Sequence, residues 1–192
     1  MDSSLPLRHN RGMKIYHSAA LLIAAMAASP AAADLRVGAR APGFATQGAL
    51  AGKSIAVNLR AALARGPVVL YFYPKAFTQG CTLETRAFAE AHDDFTAAGA
   101  TVIGMSNDDL PTLQRFSTEE CRDKFAVAVA TPGIIRAYDV ALRRAGLPAG
   151  LANRVSYVIA PNGRIAFVHS DLDYREHVRS TLAAVQGMRR GR

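Results

Sequence analysis

The sequence feature that most constrains the fold is an apolar run that ends at a proline and is followed by an amphipathic segment. Residues 68–73 are all aliphatic or aromatic, and Pro74 ends the run. Such a short, wholly apolar run is typical of a strand that is buried on both faces of a sheet. From 82 to 98 apolar residues recur every three to four positions, and Gly99 follows where a helix C-cap favours glycine. The segment therefore predicts a central strand, a loop and a helix.

Further strands and helices alternate along the rest of the chain. Strands are predicted at 101–106, 125–130, 154–160 and 164–169, and helices at 110–120, 132–138 and 174–186. The turn Pro161-Asn162-Gly163 predicts a hairpin between the last two strands. This order indicates an α/β domain of the thioredoxin-like fold, with a mixed central β-sheet flanked by helices. The longest irregular segment, 140–153, is of the kind that often borders a functional site.

The first 33 residues have the pattern of a secretory signal. Basic residues precede an apolar stretch at 19–28, and small residues follow it up to Ala33. This order is that of a signal peptide, and we expect cleavage after Ala33. We therefore expect residues 1–33 to be an N-terminal extension and signal peptide, and residues 34–192 to be the folded domain. The mature protein is then exported to the periplasm.

An uncleaved membrane anchor is the alternative for this segment. A spanning helix needs about 20 strongly apolar residues, whereas this stretch is mostly alanine and has His17 and Pro30 within it or at its edge. We therefore expect no stable membrane insertion after cleavage. Met13 is an alternative start, because a signal does not need the residues before it.

The composition excludes several classes of protein. The chain has 23 Lys and Arg residues against 15 Asp and Glu, but the basic residues are scattered and lack the interleaved aromatic residues of a nucleic-acid groove, so no nucleic-acid partner is expected. With half of its residues hydrophobic and 20% charged, the chain is not intrinsically disordered. Two cysteines are too few for a disulfide-dense scaffold.

Cys81 lies where the predicted loop enters the predicted helix. Unpaired N–H groups and the helix dipole at that end favour an anion, and thiols so placed have pKa values of about 3.5 to 7.5 instead of about 8.5. The alternative is a buried cysteine that acts as a small hydrophobic residue. Position alone leaves both roles open.

The residues around Cys81 favour the reactive role. Residues 74–84, Pro-Lys-Ala-Phe-Thr-Gln-Gly-Cys-Thr-Leu-Glu, resemble the peroxiredoxin active-site motif P-x-x-x-T-x-x-C. They are most similar to the bacterioferritin-comigratory-protein branch, also called peroxiredoxin Q, in which Thr-x-Glu follows the cysteine. Residues 37–44 resemble the opening V-G-x-x-A-P-x-F of that family, and residues 154–163 its hairpin R-x-S/T-x-x-I-x-P-x-G. The resemblance covers nearly all of the expected mature chain.

The resemblance implies a thiol-dependent peroxidase that reduces hydrogen peroxide and organic hydroperoxides. It implies that the Cys81 thiolate attacks the peroxide and becomes a sulfenic acid. Thr78 then presents its hydroxyl to the peroxide or thiolate, and Arg154 supplies a cation near the sulfur. Pro74 shapes the loop and screens the sulfur from water, and Glu84 is the polar partner of the arginine or the loop. Without the resemblance, the threonine is a helix N-cap, the arginine an exposed edge residue and the glutamate a first-turn acid.

The resemblance leaves two routes for resolving the sulfenic acid. Many relatives place the resolving thiol five residues after the attacking cysteine, where this chain has Arg86. Cys121, near the end of the next predicted helix, is the one candidate within the chain. A disulfide needs Cα atoms about 4.4 to 6.8 Å apart, so we expect local unwinding around one or both cysteines during turnover. The alternative is an external resolving thiol, with Cys121 a spare buried thiol.

Two residues depart from the pattern of this branch. Ala76 replaces a common aspartate and Gln79 a common proline, which leaves the rate and the peroxide preference open because the loop is then expected to be looser. The expected partners are a peroxide and a thiol reductant, either a thioredoxin-like protein or a small thiol. The expected oligomeric state is a monomer or weak dimer.

Other thiol chemistries fit the sequence less well. A thiol-disulfide oxidoreductase needs Cys-x-x-Cys, and Glu84 stands at the second position. A Cys-His hydrolase needs a nearby base, but His92 is about 16 Å along the same predicted helix. His169 and His177 are expected to be ordinary surface or core histidines. No metal-ligand spacing is present, so no metal or cofactor is expected. The remaining alternative is a non-peroxidatic thioredoxin-fold redox or binding protein, which would tolerate loss of the motif's threonine or arginine.

Overall fold

The computed structural model of the chain describes residue 1 and residues 34–190. The expected signal peptide and its cleavage after Ala33 lie outside the described residues. Seven strands form one sheet in the order β2-β1-β5-β4-β3-β6-β7. The strands are β1 (Ala45–Leu50), β2 (Lys53–Asn58), β3 (Val68–Phe72), β4 (Thr101–Ser106), β5 (Ala126–Val129), β6 (Val155–Ile159) and β7 (Ile165–Ser170).

Helices cover both faces of the sheet. They are α1 (Leu59–Leu63), α2 (Gln79–Glu90), α3 (His92–Ala97), α4 (Leu110–Glu119), α5 (Pro132–Ala137) and α6 (Arg175–Arg190). Alternate residues of β3 enter two different apolar clusters, as the two-residue period of a strand requires: Leu70 and Phe72 pack with α1 and α5, and Val69 and Tyr71 with α2, α3, α4 and α6. The predicted mixed sheet flanked by helices is therefore confirmed.

Strand direction brings three chain segments together at one edge of the sheet. β3 and β4 are parallel, so the loops that follow them leave the same edge. β6 runs antiparallel to β3, and its first residue, Val155, pairs with Phe72 at the end of β3. The start of β6 therefore lies beside the loop that leads from β3 into α2.

The predicted helix 82–98 is wrong in its bounds and its continuity. α2 begins at Gln79, three residues earlier than predicted, because polar residues that carry no apolar pattern form its first turn. At Ala91 the backbone leaves helical geometry, with φ −84° and ψ 3°, and α3 follows directly. The N–H of Ala91 still bonds to Ala87 and its carbonyl accepts from Phe95, so the two helices share one face against the sheet.

Strands β1 and β2 and helix α1 were not predicted from the sequence. β1 and β2 form an antiparallel hairpin through Ala51 and Gly52, whose φ values are 49° and 73°. Two successive positive φ values are those of a type I′ turn, which asparagine or aspartate before glycine normally signals. An alanine in this conformation is uncommon, so Ala51-Gly52 does not predict a turn from the sequence alone. Gly48 in β1 is required for close approach, because a Cβ there would lie 2.5 Å from the carbonyl oxygen of Val127.

The C-terminal part of the chain is more regular than expected. α6 extends to Arg190, four residues beyond its predicted end, and Arg189 donates to the carbonyl oxygen of Ala97 at 2.5 Å. The segment 140–153 is irregular as predicted, with an isolated bridge between Ala141 and Ala152. No helix within the described residues has the length and apolar character to cross a membrane.

Candidate active site

Cys81 lies in the first turn of α2 with its side chain only 1% exposed. It is a free thiol. The helix begins after Thr78, whose carbonyl oxygen accepts from the N–H of Thr82 at 2.9 Å. The N–H groups of the residues between them are those that a helix leaves without intrahelical partners. The sulfur is therefore held at the end of the helix where the dipole favours a negative charge.

Arg154 reaches Cys81 from the residue before β6. Its Nη2 is 3.5 Å from the sulfur, and its Nη1 donates to Oε2 of Glu84. Its Nε donates to the carbonyl oxygen of Leu172 at 2.9 Å. Because each of the three nitrogens has its own partner, the buried guanidinium has one orientation and directs a permanent cation at the sulfur.

Glu84 is fully buried, one helical turn after Cys81 on the same side of α2. Burial raises the pKa of its carboxyl to about 8, although the Arg154 guanidinium acts in the opposite direction. Its second oxygen, Oε1, has no hydrogen-bond partner among the described residues and lies 3.7 Å from Nδ1 of His177. The structure thus brings together Cys81, Glu84 and Arg154, and the cation stands between two acids.

His177 from α6 closes the far side of this group. Its Nε2 lies 2.9 Å from the carbonyl oxygen of Asp171, and its Nδ1 lies 2.8 Å from the hydroxyl of Ser156. Burial lowers the pKa of His177 to about 4, so the ring is neutral at pH 7. A carbonyl only accepts, so Nε2 carries the hydrogen and Nδ1 accepts from Ser156. His177 is a core histidine, as expected, with both nitrogens hydrogen bonded.

Thr78 and Pro74 lie in the loop between β3 and α2. Thr78 is exposed and occupies the N-cap position, but its hydroxyl does not cap α2 and instead donates to the carbonyl oxygen of Lys75 at 2.8 Å. Pro74 is half-buried directly after Tyr73. Neither side chain belongs to the buried group of Cys81, Glu84 and Arg154.

Asp108 fastens this loop to the end of β4. Its Oδ2 accepts from the N–H of Ala76 at 2.7 Å and from the hydroxyl of Ser106 at 2.8 Å, and its Oδ1 lies 3.4 Å from Nζ of Lys75. The carboxylate is 8% exposed. The backbone at Ala76 is therefore tied to the sheet, whereas a looser loop was expected from the two departures in its sequence.

Cys121 follows the C-cap of α4 and is fully buried. It is a free thiol in the same apolar cluster as Cys81. Burial raises the pKa of its thiol above the usual range, and the carboxylates of Glu120 and Asp123 act in the same direction. The two cysteines therefore have opposite surroundings, since only Cys81 has a cation against its sulfur.

Three residues of the site carry no signal in a single sequence. Gly80 lets the guanidinium approach, because a Cβ there would lie 3.2 Å from Nη2 of Arg154. Asp108 resembles its neighbour Asp109 in sequence, but Asp109 caps α4 while Asp108 anchors the loop. Ser156 stands at the S/T position of the hairpin motif, although nothing in the motif indicates its bond to His177.

Comparisons with known proteins show the family to which the chain belongs. The model of the AhpC/TSA family matches residues 37–168. The chloroplastic peroxiredoxin Q of Gentiana triflora is 33% identical over 125 residues, which are 62% of this chain and 54% of that protein. The chain thus spans about half the length of the peroxiredoxin Q proteins that it matches.

Solved structures show the same fold. The peroxidoxin BcpB of Mycobacterium tuberculosis superposes with a TM-score of 0.71 at 24% identity, over 80% of this chain and 98% of that one. The bacterioferritin comigratory protein of Xanthomonas campestris, which has alkyl peroxide reduction activity, superposes with a TM-score of 0.64 at 27% identity, over 74% and 90% of the two chains. The thioredoxin-like architecture is therefore confirmed. The chain belongs to the AhpC/TSA family and is similar to its peroxiredoxin Q and bacterioferritin-comigratory members.

Proposed function

We propose that this chain is a thiol-dependent peroxidase that reduces hydrogen peroxide and organic hydroperoxides through Cys81. The observation that carries the proposal is the 3.5 Å contact between Nη2 of Arg154 and the sulfur of Cys81 at the start of a helix. A cysteine that served only as a small hydrophobic residue would not require a buried arginine beside it. The cation and the helix dipole both favour the thiolate over the thiol.

The reaction is a displacement at oxygen. The thiolate attacks the nearer peroxide oxygen, the S–O bond forms and the O–O bond breaks, and the leaving oxygen departs as an alkoxide or hydroxide that takes a proton. Arg154 stabilises the charge that builds on the oxygens, since it is fixed before the peroxide arrives. Thr78 is exposed in the loop before α2 and can offer its hydroxyl to the peroxide, and Pro74 shapes the same loop without adding a backbone donor.

We propose that Cys121 then resolves the sulfenic acid. Both cysteines belong to one apolar cluster, but the thiol of Cys121 is fully buried and its raised pKa disfavours the thiolate that attacks. The turn after α4, where Cys121 lies, therefore opens before the disulfide forms. A thioredoxin-like protein or a small thiol afterwards reduces the disulfide, and the working unit is a monomer or weak dimer.

We also propose that the mature domain acts in the periplasm. The support is the basic, apolar and small-residue order of residues 1–33. Fractionation of expressing cells, with the intact mass of the product, tests this point. A mature chain that begins at Asp34 in the periplasmic fraction supports export, and a full-length chain in the cytoplasm contradicts it.

Rapid mixing with peroxide tests the peroxidase. Reduced protein is mixed with hydrogen peroxide or an alkyl hydroperoxide, and loss of peroxide and of thiol is followed in time. We expect fast loss of one thiol, then a disulfide between residues 81 and 121 in a peptide mass map. Cys81→Ser should abolish the reaction, whereas Cys121→Ser should leave the first turnover intact and stop at the sulfenic acid. Oxidation of Cys81 no faster than that of a free thiol would contradict the proposal.

A further inference from the structure

We propose that Glu84 holds a proton while Cys81 is a thiolate and loses it when the sulfur is oxidised, so that the first turnover takes no proton from solvent. The proposal deepens the proposed peroxidase function and rests on it. Glu84 acts through Arg154 and does not contact the reacting atoms. It is therefore a positioning residue that also carries a proton.

The buried group contains two acids and one guanidinium. Cys81 is 1% exposed, Glu84 is fully buried and Arg154 is 5% exposed. One guanidinium contacts both acids, with Nη2 toward the sulfur and Nη1 bonded to the carboxyl. If both acids were ionised, the group would carry one uncompensated negative charge away from water, which is costly. One of the two acids is therefore neutral.

In the reduced enzyme the surroundings of the two acids differ. Oε1 of Glu84 has no donor among the described residues. His177, whose Nδ1 lies 3.7 Å from this oxygen, offers none, because Nδ1 accepts from Ser156 and the ring hydrogen lies on the other nitrogen. An ionised carboxylate would leave a charged oxygen without a partner, whereas the sulfur has the cation and the start of α2. The proton accordingly resides on Glu84, and its pKa of about 8 agrees with this placement.

No other group facing Glu84 alters this count. Tyr71 faces it from β3 and is neutral, because burial raises its pKa well above the usual value. From α6 the neutral ring of His177 faces it, and His169 of β7 lies behind that ring, with centroids 4.5 Å apart. Asp173 is exposed and faces Arg154 from the loop before α6. Arg154 is the cation that acts on Glu84 within the described chain.

The proton of Glu84 moves when the sulfur is oxidised. Attack by the thiolate forms the S–O bond and breaks the O–O bond, and the sulfur is oxidised by the two electrons that the peroxide gains. The leaving oxygen takes one proton, and the sulfenic acid is neutral. Arg154 then has no anion beside it except Glu84, which ionises. Thiolate, peroxide and protonated Glu84 thus give sulfenic acid, alcohol or water, and ionised Glu84, with charge and protons balanced.

Counting protons tests this inference. The full chain with Cys121→Ser is reduced, placed near pH 7 in weak buffer with an indicator dye, and mixed with one equivalent of hydrogen peroxide. We expect the Cys121→Ser protein to take up no proton for each Cys81 that is oxidised. The double variant with Cys121→Ser and Glu84→Gln should take up one proton for each Cys81 that is oxidised. Uptake of one proton in both proteins would show that Glu84 is already ionised and would overturn the inference. Failure to oxidise Cys81 would instead count against the peroxidase itself.

A matched variant and a second measurement guard against a change in folding. Glu120→Gln in the same background removes another largely buried acid, one that is paired with Arg86 and not with Arg154; we expect no proton uptake from it. Infrared difference spectra of the Cys121→Ser protein, oxidised minus reduced, give a second measurement that requires no substitution of Glu84. They should show the carbonyl stretch of a protonated carboxyl disappear on oxidation, and a spectrum without that loss overturns the inference.

Discussion

Arg86 on α2 forms an ion pair with Glu120, the residue directly before Cys121, with 2.5 Å between Nε and Oε2. The position five residues after Cys81, where many relatives carry the resolving thiol, therefore holds a residue that ties down the segment of the second cysteine. Two further ion pairs run beside it at 3.5 Å each, Arg122 with Glu90 and Lys124 with Asp93. This set of ion pairs fastens the turn after α4 to α2 and α3.

Loss of the Arg86 pair should speed disulfide formation. Arg86→Ala leaves the turn held by the two weaker pairs, so the segment of Cys121 opens more often. A partly exposed ion pair contributes about 0.2 to 1 kcal/mol, which corresponds to an increase of about 1.5- to 5-fold. Acid quenching after peroxide addition, followed by mass analysis, measures the rate. Arg115→Ala is the control, because its pair with Glu119 lies within α4; equal rates in the two variants would contradict the role of Arg86.

Gly80→Ala should slow the reaction with peroxide without lowering stability. The new Cβ would stand 3.2 Å from Nη2 of Arg154, so the guanidinium shifts away from the sulfur. Small displacements of a positioned group cost large factors, and we expect a loss of about tenfold or more in the rate of Cys81 oxidation. Thermal melting checks that the helix is intact. Gly187→Ala in α6, where a Cβ meets nothing within 4 Å, should leave the rate unchanged, and an equal loss there would refute the explanation.

Arg154→Lys should cost roughly 100-fold in the rate of peroxide reduction, the size found when one preorganised donor is removed. A lysine keeps the charge but cannot contact Cys81, Glu84 and the carbonyl of Leu172 at once. Stopped-flow measurement of thiol oxidation gives the number. Arg164→Lys is the control, because Arg164 lies at the turn of the hairpin and donates to the carbonyl oxygen of Gly38. A rate within a fewfold of the original would mean that charge alone suffices.

The free energy of unfolding should depend on pH through both His177 and Glu84, and the two contributions should have opposite signs. Burial lowers the pKa of His177 to about 4 from 6.5, so between these values only the unfolded chain binds the proton, and stability is lost as the pH falls. The loss is about 3 kcal/mol. Burial raises the pKa of Glu84 to about 8, so only the folded chain holds that proton above the unfolded pKa, and stability is lost as the pH rises toward 8.

Denaturant unfolding at a series of pH values checks both slopes. His177→Asn should remove the loss of stability that the histidine causes on acidification between about pH 6.5 and 4, since the variant has no group there to protonate on unfolding. Glu84→Gln should remove the loss that accompanies a rise in pH from about 4.5 to 8. Because the two contributions oppose each other between about pH 4.5 and 6.5, the decline toward acid should be steeper in Glu84→Gln than in the unsubstituted protein. If His177→Asn changed only the overall level of the free energy of unfolding, with the acid slope kept, the neutral buried ring would not be its cause.

Much of the sheet and the grouping of the site residues could be predicted from the sequence, because periodicity and short motifs report on them directly. The run 68–73 predicted β3 to within one residue, and 101–106 matches β4. The motif around Cys81 also predicted its neighbour Glu84, and the hairpin motif at 154–163 predicted its neighbour Arg154, since each residue has a fixed place in its motif. Their assigned roles stay predictions that the variants above test.

The remainder depends on contacts between distant segments, which no local pattern records. The hairpin of β1 and β2 turns on an alanine at positive φ, a conformation stabilised by the pairing of the strands around it. His177 and Asp108 are ordinary polar residues until the fold places them beside Glu84 and Ala76. The motifs therefore predicted the three residues that the structure brings together at Cys81, and not the polar residues that contact them or anchor their loop.

Because Cys121 is completely buried, the reactivity of its thiol reports on local opening of the fold. A maleimide or similar reagent labels it only while the turn after α4 is open. Its labelling rate in a Cys81→Ser protein therefore measures how often the turn after α4 opens, with no cysteine introduced for the purpose. Salt, pH and surface substitutions can then be ranked by their effect on one sulfur.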